Sequence, residues 1–244
     1  PWSGAAEMDN AIYASLTRQS GLMREMRAVA NNVANADTTG FRREGVVFSE
    51  HMTSLDHAGE TLSMANARGR DVDLRPGSLS GTGGTWDLGL EGDGFFMVAT
   101  PQGNRLTRAG SFTPSAEGQV VNGDGHPLLD DGQAPIIVPP GARSVSVAPD
   151  GTVAADGLPL ARVGIFAPGL PQDMRHFGGT LFGADGAQPL PDATVRQGFL
   201  EGSNVDPVLE IARMVEVQRA YELGQSFLDA EDQRIRAAIT SLTR

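Results

Sequence analysis

The sequence predicts an α+β protein in which a mainly antiparallel β domain is flanked by a long helix at each end. In residues 9–40 and again in 203–244, apolar positions recur in alternating steps of three and four residues, the spacing of a helix that packs along another helix. Between them, over residues 71–202, short apolar runs alternate with glycine-rich turns. That alternation is typical of antiparallel strands.

The N-terminal segment has the signals of a helix start and stop. Asp9 and Asn10 can accept hydrogen bonds from the free N–H groups of a first turn, and Gly40 can adopt the left-handed conformation beyond a helix end. We therefore expect a helix from about Asn10 to about Ala36. The positions with this spacing form a stripe along the helix that we expect to face a partner helix. The stripe is Ile12, Leu16, Gln19, Met23, Met26, Ala30 and Val33.

This helix is poor in large apolar groups for its length. It would reach roughly 40 Å, yet the asparagines near its end are weak helix formers. Such a segment is marginal alone in water. The sequence therefore predicts that it needs a partner helix, from this chain or from another.

Residues 1–8 are expected to be an extension or a cloning remnant that leads to Met8 as the natural start. They lack the basic-then-apolar pattern of a cleavable signal peptide, so export would need another route. Residues 41–70 show no sustained period. They are predicted to form an extended connector with a short apolar patch at Val46, Val47 and Phe48.

The β domain is predicted from apolar runs separated by Asp-Gly and Asn-Gly pairs, which supply the positive φ angles of tight hairpin turns. A glycine-rich segment, residues 175–191, is expected to be a long loop. The predicted strands are 86–90, 95–100, 119–121, 136–138, 144–147 and 161–167.

The C-terminal segment returns to helix. Asp206 is the expected cap and Pro207 the first helical residue, and the helix is expected to continue to about Ser241. Several polar residues lie on its stripe, which favours many contacts over a single two-helix dimer. The stripe is Ile211, Met214, Gln218, Tyr221, Gln225, Leu228, Asp232, Ile235, Ile239 and Leu242.

Composition restricts the possible functions. The 244 residues are 40% hydrophobic, enough for one or two domains, and the net charge of −11 disfavours nonspecific nucleic-acid binding. The absence of cysteine excludes disulfides and thiol chemistry. No apolar run approaches the ~18 residues of a membrane span, so direct membrane insertion is not expected.

No catalytic, cofactor or metal site is predicted. The four histidines are scattered, and the glycine clusters are not followed by the Lys-Ser/Thr of a phosphate loop. Glu91 and Asp93 flank Gly92, and paired carboxylates could serve a cell-wall glycan hydrolase. Acidic residues of a turn are the simpler explanation for this pair. The hydrolase is therefore kept only as an alternative function.

Several motifs resemble those of the flagellar rod and hook axial proteins, in the same order from end to end. The run 28–41 ends in Ala-Asp-Thr-Thr-Gly-Phe, and residues 90–96 match an L-x-G-x-G-F-F element. Residues 106–112 are similar to a TR-x-G-x-F element. The C-terminal stretches 200–207 and 217–222 complete the pattern.

The resemblance implies a structural, non-enzymatic subunit of the bacterial flagellar basal-body rod, a helical tube that crosses the periplasm and transmits torque. Its implied partners are itself, other rod subunits and the flagellar type III export apparatus, which exports such chains without a cleaved signal. The terminal helices would pair with each other in the inner tube wall, with the β domain outside. Residues 8–13 and 40–44 favour the proximal rod, and a distal rod or hook subunit is the alternative.

The resemblance also suggests how the chain assembles. The β domain would fold alone, and the terminal segments would become ordered only on joining neighbours. Polar side chains would set the register by inter-subunit hydrogen bonds. Phe48 and Met52 have the spacing of the family's export-gate motif, which a small packing patch explains equally well. The expected assembly interface is Ile12, Leu16, Met23, Met26, Asn31, Asn32, Val33, Asn35, Thr38, Thr39, Phe41, Ile211, Met214, Gln218, Tyr221, Leu228 and Ile235.

Overall fold

The structure of the chain is a computed structural model that describes residues 3–54, 61–170 and 174–242. The side chains of residues 3–14, 47–70, 238 and 242 lie outside that description. The predicted interface residue Ile12 and the export-gate pair Phe48 and Met52 are among them.

The architecture is mixed α+β with antiparallel strand pairs and a long C-terminal helix, which confirms that part of the predicted fold class. Helix α1 is Ser3–Ala34 and helix α2 is Pro207–Leu242. The strands are β1 Glu44–Ser54, β2 Thr61–Val72, β3 Leu79–Gly81, β4 Leu88–Glu91, β5 Phe95–Thr100, β6 Gly103–Thr107, β7 Phe112–Pro114, β8 Val120–Asn122, β9 Val145–Val147, β10 Thr152–Ala155, β11 Leu158–Arg162, β12 Ile165–Ala167, β13 Leu181–Gly183, β14 Gln188–Pro189, β15 Thr194–Gln197 and β16 Phe199–Glu201.

The chain divides into two compact units. The helical unit contains α1 as far as Val33, the segment Glu44–Asp71 and the chain from Asp206 onward. The β unit consists of Ala34–Arg43 together with Val72–Val205. The last residue of α1 and the nine residues that follow it thus belong to the β unit, although the sequence predicts them to be part of the helical segment and the connector.

The predicted connector contains regular structure. Strands β1 and β2 form a two-stranded sheet that covers most of residues 41–70 and ends slightly beyond them, at Val72. The sequence hides them because their residues include many small and polar groups, such as Ser, Thr, Asn and Gly, which give no clear alternation of apolar and polar positions.

The core of the β unit lies on both faces of a five-stranded sheet with the order β13-β6-β5-β12-β14. Along β5, Phe96 and Val98 belong to one buried cluster, while Phe95 and Met97 belong to another. Side chains of a strand alternate between the two faces of a sheet. A strand that is covered on both faces needs apolar residues at successive positions, which explains the continuous apolar run from which β5 was predicted.

Other strands differ from the prediction. The run 161–167 is divided between β11 and β12, and at the division Gly164 passes so close to Asp130 that a Cβ would lie 2.3 Å from its carbonyl oxygen. Residues 136–138 form no named strand and pair by an isolated bridge between Gln119 and Ile137. The predicted loop 175–191 contains β13 and β14.

Helix α2 begins where the sequence places it. Asp206 Oδ1 accepts hydrogen bonds from the backbone N–H groups of Val208 and Leu209, at 2.9 and 3.2 Å. Pro207 is the first helical residue, where its missing N–H costs nothing. The predicted cap is therefore confirmed. Helix α1 begins at Ser3, earlier than the signals at Asp9 and Asn10 indicate.

Replacing Gly110 by alanine should destabilise the β unit. A Cβ at this position would lie 1.7 Å from the carbonyl oxygen of Leu88, so the backbone would have to move. We expect the free energy of unfolding to fall by more than ~2 kcal/mol, measured by urea denaturation. Gly123→Ala is the matched control, because a Cβ there meets no atom within 4 Å. Equal stability of the two variants would contradict the close approach.

Candidate functional site

A buried carboxylate, Glu201, holds together distant parts of the β unit. Its Oε1 accepts hydrogen bonds from Arg42 Nη2 at 2.5 Å and from the backbone N–H of Gly77 at 2.7 Å. Its Oε2 accepts one from Arg108 Nη1 at 2.8 Å. The side chains of Arg42, Arg108 and Glu201 are all nearly inaccessible to solvent. One carboxylate therefore neutralises one of two buried guanidinium groups.

The second guanidinium is held by additional contacts. Arg108 Nη2 donates to the carbonyl oxygen of Gly92 at 2.6 Å, and its guanidinium lies 5.2 Å from the ring centre of Phe95. Burial lowers the pKa of Arg108, and the negative charge of Glu201 opposes that shift. Arginine side chains are not deprotonated in proteins, so Arg108 stays charged in spite of this shift.

The segment that follows α1 lies beside the chain that leads into α2. The backbone N–H of Gly40 donates to the carbonyl oxygen of Glu201 at 2.7 Å, and that of Asn204 donates to the carbonyl oxygen of Phe41 at 3.3 Å. Asn204 Oδ1 accepts from the backbone N–H of Arg43 at 2.7 Å. Its Nδ2 donates to the carbonyl oxygens of Asp73 and Arg75, both at 2.9 Å.

Gly40 allows this close approach. Its φ is +70°, in the left-handed region, and a Cβ would lie 2.2 Å from the backbone nitrogen of Ala109. The next residue, Phe41, is 1% exposed and stacks on His176 with ring centres 5.5 Å apart. The ring of Phe41 is therefore packed inside the β unit, and its assignment to an assembly interface stays a prediction.

Residues from four of the sequence motifs meet at this site. Gly40 and Arg42 come from the first motif and its continuation, Gly92 from the second, Arg108 from the third and Glu201 from the fourth. Sequence reasoning quoted these motifs but assigned no role to their charged residues. The available signal was that charged residues of both signs, Arg42, Arg108 and Glu201, lie inside or directly beside these motifs.

The helical unit has its own buried polar cluster, centred on Asn32. Asn32 Nδ2 donates to the carbonyl oxygen of Glu44 at 2.8 Å and to Glu210 Oε2 at 3.0 Å, while its Oδ1 accepts from the Glu44 backbone N–H at 2.9 Å. Asn32 is fully buried. The amide of Asn32 is therefore satisfied within its own chain, and an inter-subunit role for Asn32 stays a prediction.

The other polar residues at this end of α1 differ in their surroundings. Thr38 Oγ1 donates to Asn35 Oδ1 at 3.1 Å, and the Thr38 backbone N–H donates to the Asn35 carbonyl oxygen, which makes a local turn. Thr39 is half-buried, whereas Asn31 is exposed. An inter-subunit role for Asn31, Asn35, Thr38 and Thr39 stays a prediction.

Further along the helical unit, polar contacts join α1 and α2. Arg213 Nε donates to Glu25 Oε1 at 2.7 Å, and Gln19 Nε2 donates to Gln225 Oε1 at 2.9 Å. The hydrogen bond with Glu25 is the largest cause of the raised pKa of Arg213. Gly224 lies opposite Gln19, since a Cβ there would be 3.4 Å from Gln19 Nε2.

On both helices the covered positions recur with the predicted spacing, but only about half of the predicted stripe residues are among them. On α1, Met26 and Val33 are half-buried as the stripe predicts, but Leu16 and Met23 are 49% and 41% exposed. The neighbours Leu22 and Val29 are covered instead. When a stripe holds few large apolar groups, a 3.5-residue period leaves its exact position around the helix undetermined.

Helix α2 shows the same displacement by one residue. Met214, Tyr221, Leu228 and Ile235 are half-buried, in agreement with the predicted stripe. Ile211 and Gln218 are exposed, and the residues that precede them, Glu210 and Val217, are buried instead. The exposed members of both predicted stripes remain available for contact with other chains.

Neither a metal site nor a membrane span is found in the described part of the chain. No group of three or more histidine, aspartate or glutamate side chains there could hold a metal ion. None of the helices in the same residues is long and apolar enough to cross a bilayer.

Comparison with known proteins identifies the family. Residues 12–42 match the model "Flagella basal body rod protein", residues 89–155 "Flagellar hook protein FlgE/F/G D1 domain" and residues 196–241 "Flagellar basal body rod FlgEFG protein C-terminal". The flagellar basal-body rod protein FlgF of Caulobacter vibrioides is 37% identical over 96% of this chain and 98% of that protein. The chain therefore belongs to the flagellar basal-body rod and hook protein family.

Within this family the chain resembles FlgF more than FlgG. FlgF of Mesorhizobium japonicum is 34% identical over 88% of this chain and 90% of that protein. FlgG of Bacillus subtilis is 27% identical over 93% of this chain and 96% of that protein. Both kinds of relative match this chain over most of its length, so FlgF and FlgG differ in their sequence identity to the chain rather than in the share of it that they cover.

Replacing Glu201 by glutamine should strongly destabilise the β unit. The substitution keeps the size of the side chain but removes the charge that faces Arg42 and Arg108, leaving two uncompensated cations in the interior. We expect a loss of ~3–5 kcal/mol in the free energy of unfolding, measured by urea denaturation.

The matched control is Glu91→Gln. Glu91 pairs with Arg196 at 2.9 Å, but both side chains are about half exposed. Such an exposed pair contributes at most about 1 kcal/mol. A Glu201→Gln variant that is as stable as the Glu91→Gln variant would contradict the central role of the buried carboxylate.

Proposed function

We propose that this chain is a structural subunit of the bacterial flagellar basal-body rod and lies in the proximal part of the rod. The observation that carries the proposal is the match to FlgF rod proteins of 31–37% identity over most of the chain. The structure is compatible with a building block, because its buried charges hold the fold together. The comparisons give no support to a glycan hydrolase.

The subunit assembles through its terminal helices, which pair with each other in the wall of a tube that crosses the periplasm and transmits torque. Two contacts support this pairing, the ion pair of Arg213 with Glu25 and the hydrogen bond of Gln19 with Gln225. Between these polar contacts, few large apolar side chains are covered on either helix. A helix pair of this kind gains much of its stability from further neighbours.

The two units divide the work between folding and assembly. The β unit has two buried apolar clusters and the Glu201 site, and it folds within one chain. The helical unit exposes large apolar side chains along both helices, including Leu16, Met23, Leu223 and Phe227. Its helices become fully ordered on joining neighbouring subunits, so the cost of ordering them limits premature assembly.

The partners are other copies of the chain, other rod subunits and the flagellar type III export apparatus. Phe48 and Met52, on β1, are the candidate contacts with the export gate. Their spacing is the only support for that role, because their side chains lie outside the described residues.

A distal rod or hook subunit of the same family is the second candidate. The match to FlgG proteins at 27–28% identity favours keeping it, since FlgG relatives are also matched over more than nine-tenths of this chain.

Limited proteolysis of the purified chain should separate the two units. We expect trimming from the N-terminus to stop before Ala34 and trimming from the C-terminus to stop after Val205, because those residues bound the β unit. A cut between residues 44 and 71 should leave the peptide that contains Arg42 attached through Glu201. Native mass spectrometry measures both the cut sites and the retained peptide.

Two results would contradict this division. Full resistance of both helices would show that they are ordered without neighbours. Loss of the peptide 34–43 after a cut in 44–71 would show that this segment is not an integral part of the β unit.

The position of the chain in purified basal bodies tests the function. We expect a strain without the chain to lose swimming and to regain it with the wild-type copy. Electron microscopy of its basal bodies should place the labelled subunit in the proximal rod. A label in the distal rod or hook would support the second candidate, and a chain absent from basal bodies would overturn the proposal.

A further inference from the structure

The turn over residues 122–126, which follows β8, holds the only Asn-Gly pair of the sequence. The backbone N–H of Asn122 donates to the carbonyl oxygen of His126 at 3.0 Å, and that of Gly125 donates to the carbonyl oxygen of Asn122 at 2.9 Å. Gly125 has a φ of +80°, in the left-handed region. The main chain of this turn is therefore closed by backbone hydrogen bonds.

Two further backbone N–H groups converge on the side-chain carbonyl of Asn122. Its Oδ1 accepts a hydrogen bond from the N–H of His126 at 2.8 Å and another from the N–H of Asp124 at 3.1 Å. Two N–H donors at about 2.7–3.1 Å from one carbonyl oxygen are also the arrangement of an oxyanion hole, which stabilises negative charge on that oxygen when a nucleophile adds to the carbon. The turn therefore polarises Cγ of Asn122 toward attack.

The nucleophile nearest in the chain to this carbonyl is the backbone nitrogen of Gly123. Within the described residues, neither the N–H of Gly123 nor Asn122 Nδ2 has a hydrogen-bond partner. Gly123 is exposed, and it carries no side chain that could shield its nitrogen. The attacking nitrogen and the amide group that would leave are therefore both free, while the carbonyl oxygen between them is held.

We propose that Asn122 is a self-modification site, at which the folded turn promotes the conversion of Asn122 to aspartate and isoaspartate. The two N–H donors on Oδ1, the free nitrogen of Gly123 and the free Nδ2 are the groups that carry it. This modification is independent of the proposed function, and it adds a covalent change to one turn of the β unit.

The reaction needs only water as a second reactant. The backbone nitrogen of Gly123 adds to Cγ of Asn122, and the electron pair of the carbonyl moves onto Oδ1. When the carbonyl forms again, the Cγ–Nδ2 bond breaks, and Nδ2 leaves as ammonia with the proton that the nitrogen of Gly123 has lost. Water then adds to either carbonyl carbon of the resulting five-membered imide and opens the ring, which gives aspartate or isoaspartate.

The two products act differently on the fold. An aspartate at position 122 keeps both N–H contacts, because a charged oxygen is the stronger acceptor. Isoaspartate leads the main chain through Cβ and lengthens it by one atom, at a position where Asn122 of β8 pairs with Phe112 of β7. The side chain of Phe112 belongs to the buried core. Isoaspartate therefore disturbs the pairing of β7 with β8, and aspartate does not.

A time course of the purified full-length chain at neutral pH tests the site. Trypsin releases Asn122 in the peptide 109–143, which contains no other asparagine. Mass spectrometry of that peptide follows the replacement of NH2 by OH. We expect Asn122 to react at least as fast in the folded chain as in the chain unfolded by urea, because unfolding removes both N–H donors from Oδ1. A turn that only protects its asparagine would make the folded chain the slower of the two.

The variant Gly123→Ala tests the attacking nitrogen. A Cβ there would meet no atom within 4 Å, so the turn should fold as in wild type. The added methyl group hinders the approach of the nitrogen to Cγ, and we expect the reaction to slow at least ~10-fold. The urea midpoint of the variant confirms that its fold is kept.

Asn204 is the control within the same chain. Both its Oδ1 and its Nδ2 are hydrogen-bonded, and the next residue is the branched Val205. Trypsin releases it in the peptide 197–213, again with no other asparagine. We expect Asn204 to stay unmodified in the folded chain over the period in which Asn122 reacts.

Three outcomes would overturn the proposal. The first is a folded chain in which Asn122 reacts more slowly than in the unfolded chain. The second is a folded Gly123→Ala variant whose rate falls by less than ~10-fold. The third is a folded chain in which Asn204 reacts as fast as Asn122, since a built site at the turn would then not be needed.

Discussion

The β unit depends on the carboxylate of Glu201 more than on any other side chain. Two guanidinium groups and a backbone N–H converge on it, and all three come from chain segments far apart in sequence. In a low-dielectric interior an unpaired cation is costly. The protein can therefore bring Arg42 and Arg108 inside only when the strand that carries Glu201 is in place, which ties the N-terminal segment, the central hairpins and the last strand into one cooperative structure.

Backbone contacts beside Glu201 lie close in the chain to one end of each helix. Helix α1 ends at Ala34, six residues before Gly40 binds the backbone of Glu201, and α2 begins at Pro207, three residues after Asn204 binds Phe41 and Arg43. The two helix ends are thus tied to adjacent backbone segments of the same folded unit. The chain positions next to these two helix ends are therefore fixed by contacts within the β unit.

Much of the fold could be predicted from local signals. The Asp206 cap, the Pro207 start and the continuous run of β5 each depend on neighbours in sequence. The Glu201 site could not be predicted, because its parts are far apart in the chain and a charged residue in a motif usually faces solvent. The position of the stripes around the helices could not be predicted either. Ile211 is more apolar than its neighbour Glu210, yet Glu210 is the buried residue of the two and is hydrogen-bonded to Asn32.

The segment 44–71 enters and leaves the β unit at almost the same point. The backbone N–H of Asp73 donates to the carbonyl oxygen of Arg43 at 2.9 Å, so the two ends of the insertion are joined within the β unit itself. For a closed loop, doubling the length costs only about 0.6 kcal/mol. This insertion is therefore the place where the chain can tolerate changes of length, such as an inserted epitope or a longer hairpin, with little effect on the stability of the β unit.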